Sequence, residues 1–171
     1  MIKIKKIVGR QIIDSRGNPT CEADIIINDN ILGRGAVPSG ASTGKLEALE
    51  LRDGDPDNYF GKSVNNAINL INNEISSKID LNKEFNQETF DNFLIELDGT
   101  DNKERLGANT ILALSIAFAK AQAKYRNIPL YQSLTEDTSY MIPIPMMNII
   151  NGGAHANNKL DFQEFMILPV G

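Results

Sequence analysis

The sequence is short of several groups on which common chemistries depend. It has one cysteine, Cys21, so an internal disulfide is excluded and a reducing compartment is the simplest setting. It has no basic excess: the net charge is -5, and Lys and Arg are scattered, leaving no face that would release counterions from nucleic acid. It has no long hydrophobic run. Met1-Ile2-Lys3-Ile4-Lys5-Lys6 never builds the apolar core of a signal peptide, and no later segment reaches membrane-spanning length. These absences point to a cytoplasmic protein with neither nucleic acid nor membrane as partner. Histidine is represented only by His155, so any imidazole chemistry must use that residue.

What is present suits a folded globular chain. Hydrophobic residues make up 42% and charged residues 23%, enough to bury a core. At 171 residues there is room for one ordinary domain and part of a second, but not for a whole barrel of about 250 residues. Cys21 lies in Thr20-Cys21-Glu22-Ala23-Asp24, a predicted strand with no basic neighbour, and reads as a small buried side chain.

Period-two patterning predicts strands over 2–13, 20–27 and 31–37, joined by Asp14-Ser15-Arg16-Gly17-Asn18-Pro19 and Asn28-Asp29-Asn30 as an antiparallel meander. From Thr43 the pattern turns helical. A short helix is expected over 45–51 with Thr43 as its cap, then amphipathic stripes at Val64, Ile68, Ile71 and Ile75 and at Phe90, Phe93, Leu94 and Leu97. A further helix begins near Asn109, with Ile111, Leu114, Phe118, Ala121 and Tyr125 on one stripe, and has so little polar surface that it should be the central one. Strands followed by helices give an α+β domain over 1–136. The polar stretch 135–140 marks its end. Residues 137–171 then begin a second domain with two apolar runs, 143–150 and 162–169, the first patterned like a strand buried on both faces.

Two regions carry candidate chemistry. The loop from Gly33 to Lys45 is glycine- and hydroxyl-rich, but Gly40 to Gly44 has three intervening residues and Lys45 precedes Leu46, so it is not a P-loop. It remains a loop able to fold over a ligand. In the second region Glu164 stands in an apolar run, where a carboxylate must be paired, metal-bound or placed at a solvent-filled rim. If the two apolar runs form a hairpin, His155, Gln163 and Glu164 gather at one end.

Asp14-Ser15-Arg16-Gly17-Asn18-Pro19-Thr20, Val37-Pro38-Ser39-Gly40-Ala41-Ser42-Thr43-Gly44, Gly107-Ala108-Asn109, and Asn151-Gly152-Gly153 with His155-Ala156 and Gln163-Glu164-Phe165-Met166 together resemble the enolase family. The resemblance runs the length of the chain. It implies an N-terminal α+β domain of three strands and several helices, then the opening of a modified (β/α)8-type barrel whose second strand is antiparallel. The implied reaction is reversible dehydration of 2-phospho-D-glycerate to phosphoenolpyruvate, with two Mg2+ ions in the complete site and a homodimer or higher oligomer. Position by position, Ser42 resembles the loop serine that binds the second magnesium ion. Gly40, Ala41 and Thr43 belong to that substrate-covering loop. His155 resembles the histidine near the substrate phosphate, and Gln163 and Glu164 the polar pair beside the leaving hydroxyl. Glu22 and Arg10 resemble residues of the dimer contact. Ala154 departs from the family, whose members commonly carry a polar residue there. The base lysine and the acidic magnesium ligands belong to later barrel strands, so these 171 residues alone are expected to be inactive. A non-catalytic interaction module or dimerisation fragment is the alternative.

Overall fold

The computed structural model describes residues 2–40, 44–137 and 139–170. Contacts divide the chain into two units, Met1–Ser39 with Leu46–Glu136, and Gly40–Lys45 with Asp137–Gly171.

In the first unit the β-branched runs form strands β1 (Ile2–Ile13), β2 (Pro19–Ile27) and β3 (Leu32–Ala36), paired antiparallel as the expected meander. Asp14 shapes the first turn: its carboxylate accepts from the N–H groups of Arg16 and Asn18 while Gly17 takes a positive φ. A fourth strand, β4 (Glu84–Phe85), pairs with Ile2 and Lys3 and completes the sheet order β3-β2-β1-β4. Two residues are too few to show a period in sequence.

The Val64–Ile75 stripe is buried or half-buried as predicted, but on a segmented helix: α1 (Asn65–Asn69), a π-helical stretch over Leu70–Ile75, and α2 (Ser76–Lys78). Within it the Asn72 side-chain amide bonds both the N–H and the C=O of Gly9, taking the place of a neighbouring strand along that part of β1. Helix α3 (Gln87–Asp98) starts from a reciprocal cap between Asn86 and Thr89 and stops at Gly99, which adopts φ 71°. Helix α4 (Ala108–Tyr125) is the central helix anticipated from its composition. Leu114, Phe118 and Ala121 are fully buried against the sheet, although Tyr125 at its end is exposed. A short helix α5 (Leu130–Ser133) follows. Phe85, Phe90 and Phe118 join β4, α3 and α4, with ring centroids 5.6 Å and 4.7 Å apart across the two contacts to Phe90.

The helix expected over 45–51 is absent. Its backbone groups are engaged elsewhere: the Leu49 N–H donates to the Asn102 carbonyl, the Leu49 carbonyl accepts from Ala108, and the Asn109 amide bonds both polar groups of Leu51. Residues 45–47 form a turn instead, and those tertiary bonds hold 49–51 over the start of α4. The assigned cap, Thr43, lies outside the described residues.

The second unit contains β5 (Met147–Asn151) and β6 (Glu164–Ile167), paired antiparallel as the hairpin reading required. The first apolar run was expected to be a strand buried on both faces. Instead every residue of β5, and of β6 as well, is exposed, and the run before β5, interrupted by Pro143 and Pro145, stays outside the ladder.

Candidate functional site

The loop joining β5 to β6 is held by its own backbone. Gly152 donates to the Gln163 carbonyl at 3.0 Å, Gly153 donates to the Leu160 carbonyl at 2.9 Å, and the Asn158 side chain donates to the Asn151 carbonyl at 2.8 Å. The double glycine has two separate reasons. A Cβ on Gly152 would stand 2.5 Å from the Phe162 carbonyl oxygen, and Gly153 adopts φ +53°. The short 3-10 turn over Gly153–His155 then lays His155 beside the start of β6.

The three residues assigned from sequence to this end of the hairpin do converge. Gln163 Nε2 lies 2.9 Å from His155 Nε2, and His155 Nδ1 lies 3.5 Å from Glu164 Oε2. With the Gln163 amide donating to Nε2, the neutral ring carries its proton on Nδ1, facing the carboxylate. The cluster is partly open to solvent, with the Glu164 side chain 35% exposed, so of the alternatives left open by sequence the carboxylate is both paired and at a solvent-facing rim. Asn148, within the apolar run 143–150, has no role from sequence, yet its side-chain amide bonds both Asn151 Oδ1 and Glu164 Oε2. A polar residue inside an otherwise apolar run was the one available signal.

Of the loop assignments, Gly40 is exposed, while Ala41, Ser42 and Thr43 lie outside the described residues. The chain just before them is anchored within the first unit. Ser39 Oγ donates to Glu50 at 3.2 Å, Arg52 pairs with the same carboxylate at 2.8 Å, and Arg52 Nη1 donates to the carbonyls of Pro19 and Lys62. Among the described residues no three or more of His, Cys, Asp and Glu converge to hold a metal ion, so the described part does not by itself compose a magnesium site.

Arg10 and Glu22 fall in a charged lattice on the sheet face opposite α4. Arg10 bonds Glu22 at 2.7 Å and Asp24 at 2.6 Å, and Arg34 reaches Asp24 from β3 at 2.7 Å. Register explains the grouping, since Arg10 stands opposite Glu22 and Arg34 opposite Asp24. Hydrogen bonds from Arg34, opposed by burial and reinforced by Arg10, hold the Asp24 carboxyl far below the usual carboxylate range. On the other face, burial pushes the Cys21 thiol up to about 12, as suits an inert core side chain.

Comparison with known proteins covers nearly all of the chain. Residues 4–134 match the family described as "Enolase, N-terminal domain", and residues 139–171 match "Enolase, C-terminal TIM barrel domain". The chain is 56% identical over 170 residues to the enolase of Ehrlichia ruminantium (strain Welgevonden), an alignment covering 99% of this chain and 40% of that protein. Identity and coverage are the same against the enolase of Ehrlichia chaffeensis (strain ATCC CRL-10679 / Arkansas). The chain thus spans 40% of the length of these curated relatives. On the matched domains and the α+β fold, the chain belongs to the enolase family.

Proposed function

We propose that residues 1–171 are the N-terminal portion of an enolase that reversibly dehydrates 2-phospho-D-glycerate to phosphoenolpyruvate in the cytoplasm. The observation that carries this is the meeting of His155, Gln163 and Glu164 at one end of the β5–β6 hairpin, in a chain that matches the family from end to end. Dehydration removes a hydroxyl group, which leaves well only if it is protonated as it departs. Glu164, taking up a proton from solvent at its open rim, is the group here suited to deliver that proton, and it is left as the carboxylate beside His155 Nδ1. Gln163 fixes the His155 tautomer, and His155 also faces the phosphate end of the substrate. Gly40 and Ala41 contribute backbone to the loop over the substrate, and Ser42 is the magnesium ligand this portion supplies. Glu22 and Arg10 border the homodimer contact, and residues 137–171 open the catalytic barrel. The other magnesium ligands and the base that takes the carbon-bound proton are assigned to the part of the relatives' length that these residues do not span.

The test is formation of phosphoenolpyruvate from 2-phosphoglycerate with added magnesium, followed by ultraviolet absorbance for the complete protein and for residues 1–171 alone. Turnover is expected from the first and none from the second. A folded complete protein that makes no phosphoenolpyruvate overturns the reading, and turnover by residues 1–171 overturns the division of labour.

A further inference from the structure

In a regular strand side chains alternate between faces, so Asn148 and Asn151, three positions apart, would point to opposite sides of β5. The β5–β6 register departs from this. Asn148 pairs with Met166, Ile150 with Phe165 and Asn151 with Glu164, so one extra residue on β5 is taken up between Asn148 and Ile150. The bulge returns Asn148 to the face that carries Asn151, Glu164 and Met166. There the Asn148 side-chain amide bonds Asn151 Oδ1, and the same nitrogen lies 3.3 Å from Glu164 Oε2. Asn151 is itself fixed, because its carbonyl accepts from Asn158 and it stands opposite Glu164 in the ladder.

We propose that Asn148 is a positioning residue for Glu164, an inference that rests on the role given to Glu164 above. Asn148 Nδ2 from β5 donates to Oε2, and His155 Nδ1 from the loop lies 3.5 Å from the same oxygen. Among the described residues Oε1 has no partner, which leaves it as the oxygen for the reacting group. A carboxylate restrained at one oxygen has its plane set before substrate arrives. Without Asn148 the side chain keeps only the 3.5 Å contact to His155 and regains rotamer freedom. The β-bulge is thus a device for aiming a polar side chain at the site from an otherwise apolar strand.

The test uses the complete protein with Asn148→Ala and Asn148→Asp, the second keeping the shape but losing the donor and adding a like charge. Loss of alignment at the reacting group is expected to lower kcat by about 10- to 100-fold with KM changed by less than about twofold, and Asn148→Asp is expected to be the slower. Unchanged kcat in Asn148→Asp overturns the proposal. Crystal structures supply a readout independent of turnover. Glu164 should swing away from its position in Asn148→Ala, and an unmoved carboxylate there, or an Asn148 amide beyond hydrogen-bond reach of Glu164 in the unsubstituted protein, overturns it equally. If the unsubstituted protein makes no phosphoenolpyruvate, the proposed function fails and the crystallographic arm still decides the positioning role.

Discussion

Asp24 is a carboxylate in an environment unlike that of most surface acids. It is 7% exposed, yet it accepts three hydrogen bonds from two arginines on the neighbouring strands. The depressed carboxyl and the raised Arg10 guanidinium agree in direction, each favouring its charged form beside the other. A carboxyl whose folded pKa lies below the unfolded value of about 3.9 contributes stability above that value and loses it as pH falls through the folded one. Asp24→Asn is therefore expected to destabilise the protein in urea unfolding above about pH 4, with the gap to the unsubstituted protein closing at lower pH. A gap independent of pH would show that the arginines do not hold the ionised form. The sequence displayed the charges at positions 10, 22, 24 and 34, and resemblance singled out Arg10 and Glu22. The central position of Asp24 was not legible, because it depends on which strands are neighbours.

At the scale of elements, the packing of α4 on β3 is set by what the glycines omit. A Cβ on Gly33 would fall 2.0 Å from the Ala117 carbonyl oxygen, and one on Gly35 would fall 2.3 Å from that of Ala113. Helix and strand backbones touch here, with Ala113, Ala117 and Ala121 as the facing stripe. Gly33-Arg34-Gly35 drew attention as the start of a possible phosphate loop, whereas these glycines serve helix-on-sheet contact. Gly35→Ala is expected to cost about 3 kcal/mol in chemical denaturation, since the helix must move to admit a methyl group. An unchanged denaturation midpoint would show that the contact is loose. A similar lesson comes from β1, where Ile4 and Ile7 are both buried although three positions apart. A bulge at Lys5 absorbs the Lys5-Lys6 doublet. The doublet was visible in sequence as a break in alternation, but its resolution as a bulge needed the partner strand.

For the molecule as a whole, the core cluster runs from Ile2 to Ala121 and lies entirely in the first unit. In the second unit the apolar side chains of the hairpin are in solvent: Phe162 is 66% exposed and Met146 68%. Residues 1–136 alone are accordingly expected to unfold cooperatively and bind little of an environment-sensitive hydrophobic dye. Residues 1–171 should bind several-fold more at the same concentration. Equal dye fluorescence from the two would show that the hairpin is covered within this chain.

The sequence by itself determined the α+β class, the meander, the buried central helix, the hairpin and the gathering of His155, Gln163 and Glu164 at its end. Each rests on local period or turn chemistry, or on the order of motifs along the chain. Tertiary structure alone decided the non-helical course of 45–51, the fourth strand, the Asp24 lattice and the turning of Asn148 toward Glu164. In each case a backbone or polar group is satisfied by a partner distant in sequence or across a register shift, and a one-residue bulge reverses the face that alternation assigns.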